Sequence, residues 1–185
     1  MFNVIDNLSI SKAMLCLFLT VVVFTFQSCK KEETGSGNTE EQFLGCKING
    51  KSYTFNAHVN ANDRPSEEVV HFVVISGWEN EDTATSPGFG IDLVLPEGAE
   101  EETYSVAGGS TSELDGQYYI QNFKDGKHIG TTVYDGGRTD GTKFTLTITS
   151  LTDWGVKGTF SGVLKLVGGS EYLTVTDGEF SAPYN

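Results

Sequence analysis

The stretch KFTLTIT, residues 143–149, decides the fold class. Phe144, Leu146 and Ile148 alternate with polar residues, so a β-strand would place all three on one face and the polar residues on the other. Short alternating runs of this kind recur from residue 43 onward, separated by clusters of glycine, asparagine and aspartate. This pattern is typical of strands joined by tight turns.

The runs nearer the N-terminus support the same interpretation. Residues 43–48 and 52–57 flank Asn49-Gly50, a dipeptide suited to a two-residue hairpin turn. Residues 69–78, VVHFVVISGW, are almost continuously apolar. Such a run predicts a central strand that is covered on both faces.

The rest of the chain contains further strand patterns. Residues 88–95 alternate regularly and leave Asp92 on the solvent side. Residues 97–102 could form one helical turn, and no other segment from residue 43 onward has a helical stripe. Other strands are predicted over residues 103–106, 117–123, 131–134, 156–167, 171–176 and 179–180. Asp125-Gly126-Lys127-His128 separates 117–123 from 131–134 and predicts a second hairpin there. We therefore predict an all-β domain over residues 43–185, an antiparallel β-sandwich of about eight to ten short strands, with a lipocalin-like β-barrel as the alternative.

An apolar leader precedes this domain. Residues 13–26, AMLCLFLTVVVFTF, are uncharged and form a stretch shorter than the about 20 apolar residues that a membrane-spanning helix needs. They fit the hydrophobic region of a signal peptide. Phe26-Gln27-Ser28-Cys29 resembles a lipobox, which accepts a large apolar residue three positions before the cut and requires a cysteine directly after it. We predict a lipoprotein signal peptide over residues 1–28, with an uncleaved membrane anchor as the alternative.

Cys29 is the predicted site of lipid attachment. Its thiol is nucleophilic enough to take a diacylglyceryl group, and its freed amine can then accept a further acyl chain such as palmitate. Two or three such chains hold a protein firmly on a membrane. Residues 29–42 form a polar, flexible tether to the domain.

The tether begins with a charged motif, Lys30-Lys31-Glu32-Glu33. A lysine followed by paired acids behind the lipidated cysteine resembles the surface-export signal of lipoproteins in the Bacteroidota. An ordinary solvated linker is the other interpretation. The sequence thus predicts a lipid-anchored protein of the bacterial outer membrane, with a periplasmic or a surface-exposed orientation.

Two phrases of the domain carry a wider resemblance. CKINGKSYTF (residues 46–55) and GTFSGVLKLVGGSEYLTVTDGEFSAPY (residues 158–184) resemble segments of small uncharacterised lipoproteins of the Bacteroidota. In that group an opening strand and a closing strand pair frame a domain of unknown function. The shared motifs are strands and turns, so the resemblance implies an all-β mature domain at the cell envelope and no particular activity.

Composition and motifs argue against several functions. Acidic residues outnumber basic ones by 25 to 12, and the formal net charge of -13 would repel nucleic acid. Cys46 is the single cysteine of the domain, so no internal disulfide is expected and its thiol is predicted to pack in the core. No histidine pair has metal-ligand spacing, and no phosphate loop or nucleophile elbow occurs. We expect no cofactor, no metal and no enzymatic activity.

Aromatic residues near the ends of strands are the remaining candidates. Trp78, Tyr118, Tyr119 and Trp154 could stack on sugar faces or anchor an envelope protein. Strand alternation allows only one of Tyr118 and Tyr119 to face the core. The leading hypothesis is a non-enzymatic binding or accessory module, and the alternatives are a hydrolase of envelope or other glycans and a structural envelope component.

Overall fold

The computed structural model describes residues 41–62 and 70–185, which form eleven β-strands and no helix. The strands are β1 (Phe43–Ile48), β2 (Lys51–Thr54), β3 (Ala57–Asn60), β4 (Phe72–Trp78), β5 (Gly88–Val94), β6 (Thr103–Ala107), β7 (Glu113–Lys124), β8 (Lys127–Gly136), β9 (Lys143–Leu151), β10 (Gly155–Leu166) and β11 (Tyr172–Pro183). The predicted all-β fold is confirmed.

All the strands pair in one antiparallel sheet. Its main path runs β2-β1-β11-β10-β8-β7-β5-β4-β3, while β9 pairs with β10 and carries β6 on its other edge. The two ends of the path, β2 and β3, are consecutive in the chain, and the ladders between described strands do not close into a barrel. The fold is therefore sandwich-like, as predicted, and the lipocalin-like barrel is not observed.

The core lies between the inner faces of the two halves of this sheet. Phe89 of β5 contacts Phe160 of β10 with ring centroids 5.1 Å apart, and Phe160 also contacts Phe144 at 6.1 Å. The alternation predicted for residues 143–149 is confirmed, because Phe144, Leu146 and Ile148 are at most 1% exposed. Burying these large apolar side chains is the main stabilising contribution to the fold.

Two hairpin turns follow the predicted turn chemistry. Asn49 and Gly50 have φ angles of 49° and 80°, and Asp125 and Gly126 have φ angles of 51° and 73°. Two successive positive φ angles give a turn whose twist matches that of the flanking strands. The β1–β2 and β7–β8 hairpins are thus both confirmed.

The prediction for residues 69–78 is wrong about burial. Val73 and Ile75 are fully buried, but Phe72 is 51% exposed and Val74 is 38% exposed. An apolar run has the same appearance whether one face or both faces are covered, and no described element packs over the outer face of β4. This strand therefore presents apolar side chains to solvent.

Other boundaries also differ from the predictions. Residues 52–57 belong to two strands, β2 and β3. The chain stops pairing with β1 after Thr54 and pairs with β4 from Ala57. The two predicted C-terminal segments are one strand, β11, bent by a bulge opposite Phe160–Gly162. Residues 97–102 contain turns and bends but no helix. The split and the merger offset each other in number, and the described domain has eleven strands where about eight to ten were expected.

Candidate functional site

Several predicted residues lie outside the part of the chain that the structure describes. These are the lipid-attachment residue Cys29 and the export-signal residues Lys30, Lys31, Glu32 and Glu33, together with the signal peptide over residues 1–28. Within residues 41–62 and 70–185, no helix is long and apolar enough to cross a membrane.

Tyr118 lies in the core and not on a surface. Its side chain is 6% exposed, and its ring contacts the rings of Phe55 at 6.1 Å and Tyr134 at 6.5 Å. This placement removes Tyr118 from the set of predicted stacking residues. The expectation that only one of the two adjacent tyrosines faces the core is confirmed, since Tyr119 points to the opposite side of β7.

Trp78 and Tyr119 lie on the same outer face of the sheet. In the strand register Gly88 of β5 pairs with Trp78 of β4 on one side and with Tyr119 of β7 on the other. Ile75 and Phe89 point into the core, and strand alternation puts these three positions on the opposite face of the sheet, where they form one continuous surface. We call this outer surface of β4, β5, β7 and β8 the aromatic face.

Two glycines of β5 make room for the aromatic rings. A Cβ atom on Gly88 would lie 3.0 Å from two atoms of the Trp78 indole, and a Cβ atom on Gly90 would lie 3.1 Å from the Tyr119 hydroxyl. Both rings therefore lie close against the bare backbone of β5. Glycine usually weakens a strand, and a glycine within a strand often marks the close approach of another group.

The Tyr119 hydroxyl is held in place by a neighbour. It donates a hydrogen bond to Gln117 Oε1, and Gln117 is two residues along the same face of β7. Burial, followed by the nearby Asp92 and Asp135 carboxylates, raises the pKa of Tyr119 to about 12. The phenol therefore stays protonated at neutral pH, and its ring is fixed over Gly90.

An acidic group borders the two rings. Asp92 of β5 and Asp115 of β7 are directly paired across the two strands on the aromatic face. Asp115 is 6% exposed and is bound by Arg138, whose Nε and Nη2 atoms lie 2.7 and 2.5 Å from Asp115 Oδ2. The backbone N–H of Arg138 also donates to Asp115 Oδ1 at 3.0 Å. Asp115 is thus a buried, fully bonded carboxylate.

Asp92 is held less firmly than Asp115. Burial raises the pKa of Asp92, the Asp115 and Asp135 carboxylates raise it further, and Arg138 opposes them. Asp135 of β8 accepts a hydrogen bond from the Thr139 hydroxyl at 2.7 Å, while its buried Oδ1 atom has no partner among the described residues. Like charges placed side by side on a sheet cost stability, so this arrangement is not explained by folding alone.

Trp154 lies apart from the aromatic face, in the turn between β9 and β10. The Lys157 ammonium lies 5.4 Å from the centroid of the Trp154 ring. The backbone carbonyl of Trp154 accepts a hydrogen bond from Tyr184 N–H at 3.0 Å. Of the four predicted aromatic residues, the structure therefore brings only Trp78 and Tyr119 together.

A second outer surface lies on β6, β9, β10 and β11. Its hydroxyls bond in pairs across strands, Thr103 with Thr147 at 2.8 Å and Ser105 with Thr145 at 3.0 Å. A groove of about 330 Å³ runs beside these pairs. It is lined by Thr145, Thr147, Thr159, Phe160, Ser161, Asp177, Gly178 and Glu179. We call this surface the hydroxyl face.

Within the described part of the domain, the remaining polar side chains offer no further candidate site. Cys46 is 5% exposed, and burial raises the pKa of its thiol to about 12, so it packs as an apolar residue, as predicted. Across residues 41–62 and 70–185, no group of three or more His, Cys, Asp or Glu side chains is arranged to hold a metal ion.

Sequence reasoning missed the carboxylates at the border of the aromatic face. Alternation did place Asp92 on an outer face, but its neighbours Asp115 and Asp135 come from strands whose pairing is not apparent from local patterns.

A scan of protein-family models and searches of curated proteins and of solved structures found no match to this chain.

Proposed function

We propose that this protein is a lipid-anchored, non-enzymatic protein of the bacterial cell envelope, and that its β-sandwich-like domain binds carbohydrate through the aromatic face. The observation that carries this proposal is the placement of Trp78 and Tyr119 on one outer face, close against Gly88 and Gly90. Two half-buried rings held on a rigid sheet form a preorganised surface, which lowers the entropic cost of binding.

The chemistry of the aromatic face suits a sugar. An aromatic ring provides an apolar surface for the C–H face of a pyranose, while nearby amide and carboxylate groups can bond its hydroxyls. Gln117 and Asp92 supply such groups next to the two rings. The acidic border and the net charge of -13 favour a neutral glycan over an anionic one.

Glycan-array binding tests the site. We expect Trp78→Ala and Tyr119→Ala each to lower the affinity for the bound glycan about tenfold, which corresponds to about 1.4 kcal/mol for the loss of one aromatic contact. Trp154→Ala is the matched control, because it removes the same type of side chain from a turn outside the aromatic face, and it should bind as the wild type does. Failure of the wild type to bind any glycan, or an equal loss in Trp154→Ala, overturns the proposal.

The membrane anchor rests on the lipobox-like sequence before Cys29 and on the resemblance to lipoproteins of the Bacteroidota. Mass spectrometry of the mature N-terminus should find acyl chains on Cys29, and Cys29→Ser should release the protein from membranes or leave it unprocessed. Unchanged mass and membrane attachment in Cys29→Ser would exclude lipidation. Proteolysis of intact cells distinguishes a surface-exposed domain from a periplasmic one.

Glycan hydrolysis is the second candidate, and one observation favours it. Asp92 and Asp115 are paired carboxylates beside the rings, and the pKa of Asp92 is raised by burial and by its acidic neighbours, as it is for a general acid. Asp115, however, is already bonded to Arg138, which leaves it poorly placed to attack a sugar. Release of reducing sugar by the wild type but not by Asp92→Asn would establish a hydrolase in place of a binding module.

A further inference from the structure

The aromatic face continues along β7 beyond Tyr119. Alternation places Gln117, Tyr119 and Gln121 on the outer face. The register of the β7–β8 pair shifts between Asn122 and Phe123, but Phe123 still lies beside this row, because the His128 ring contacts both Phe123 and Gln121. Phe123 is 42% exposed, so its ring is accessible to a ligand from solvent. Its ring contacts the His128 ring across the hairpin, with centroids 5.4 Å apart.

Polar groups lie between the two aromatic positions. Gln121 Oε1 accepts a hydrogen bond from the Thr131 hydroxyl at 2.8 Å and lies 3.0 Å from His128 Nε2. Among the described residues, no acceptor contacts Gln121 Nε2, so its N–H groups are available to bond a ligand hydroxyl. The side chain of Gln121 is thus fixed by two neighbours and keeps a free donor.

The order of these groups and their spacing indicate an elongated ligand. Tyr119 and Phe123 are four residues apart, which is about 13 Å at the 3.3–3.4 Å rise of a strand and more than one sugar ring can span. The stretch from Tyr119 to Phe123 contains no ionised side chain, whereas carboxylates border its other end at Asp92 and Asp115. An uncharged, linear polyhydroxylated ligand matches both the order of aromatic and amide side chains along β7 and the lack of ionised side chains between Tyr119 and Phe123.

We propose that the aromatic face binds a linear neutral oligosaccharide that extends from Trp78 and Tyr119 to a second aromatic subsite formed by Phe123 and His128. This inference rests on the proposed carbohydrate-binding function and specifies its ligand. Gln121 donates a hydrogen bond to the oligosaccharide between the two subsites. A disaccharide occupies the Trp78–Tyr119 end alone, and a hexasaccharide also reaches Phe123.

The test compares disaccharides and hexasaccharides of the malto-, cello-, xylo- and laminari- series by isothermal titration calorimetry. The wild type should bind the hexasaccharide of at least one series more tightly than its disaccharide. Phe123→Ala should lower hexasaccharide affinity about fivefold, as expected for one lost aromatic contact, and leave disaccharide affinity unchanged.

Phe72→Ala is the matched control. Phe72 is 51% exposed on the same outer face, but it lies at the far end of β4 beside Val94 and should not contribute to binding. Equal affinity of the wild type for both lengths, or no effect of Phe123→Ala, overturns the extended site while the proposed function stands. Absence of binding to every saccharide tested overturns the proposed function itself.

Discussion

On the hydroxyl face, side chains bond to one another across strands, as in Thr103 with Thr147 and Ser105 with Thr145. On the aromatic face, Trp78 and Tyr119 lie half-buried over glycines, and Asp92 sits beside Asp115. Paired threonines and serines are favourable on a solvated strand, whereas adjacent carboxylates and strand glycines cost stability. Features that cost stability are expected at functional sites, so the difference points to the aromatic face.

The ion pairs of the two faces differ in the same way. Arg138 binds Asp115, whose side chain is 9% exposed, whereas Lys47 binds Asp177 in a pair whose side chains are 47% and 66% exposed. A buried carboxylate depends on its partner, while an exposed ion pair contributes little. Of these two ion pairs, the one at the border of the aromatic face therefore matters more for the free energy of unfolding.

Removing Arg138 should have the largest effect on stability. Arg138→Ala removes the guanidinium from the buried Asp115 carboxylate next to Asp92 and leaves it only the backbone N–H of residue 138, and this should lower the free energy of unfolding by about 2–4 kcal/mol. Urea denaturation at neutral pH measures the change. Lys47→Ala is the control, because Lys47 of β1 pairs with Asp177 of the hydroxyl face, and it should leave the urea midpoint unchanged. Equal losses in the two variants would contradict the difference between the faces.

Replacing Asp92 should have a smaller effect of opposite sign. The pKa of Asp92 is raised above its ordinary value of 3.8, first by burial and then by Asp115 and Asp135. The folded protein therefore holds this proton more tightly than the unfolded chain does, so the stability from Asp92 is present at low pH and is lost as pH rises through the raised pKa. Ionised Asp92 is destabilising at neutral pH.

Asp92→Asn should accordingly raise the free energy of unfolding at neutral pH by up to about 1 kcal/mol, the scale of one unfavourable cross-strand pair. The two proteins should converge in stability below pH 3.8, where Asp92 is protonated in both the folded and the unfolded state. Thermal unfolding across a pH series measures the difference. Glu179→Gln makes the same change in net charge on the hydroxyl face, and an equal gain there would assign the effect to net charge.

Local patterns predicted much of the fold but little of the site. Alternation placed Tyr118 and Tyr119 on opposite sides of a strand and put Asp92 on an outer face, because these properties depend on a few neighbouring residues. The proximity of Trp78 to Tyr119 depends instead on β5 pairing with β7 past β6. Pairings between distant segments are set by the packing of the whole core, which no short window of sequence contains.

The smallest effect is expected on the hydroxyl face itself. Thr147→Val keeps the β-branched shape and loses one partly exposed hydrogen bond to Thr103, so the free energy of unfolding should change by less than about 0.5 kcal/mol. Thr147 also lines the groove of about 330 Å³ beside Glu179, so the variant removes a hydroxyl from that groove without disturbing the aromatic face. Calorimetry with the glycan bound by the wild type should find its affinity unchanged in Thr147→Val. A loss comparable to that of Trp78→Ala would move the binding site to the groove, because a partly exposed hydroxyl that contributes little to folding can affect binding strongly only through direct contact with the ligand.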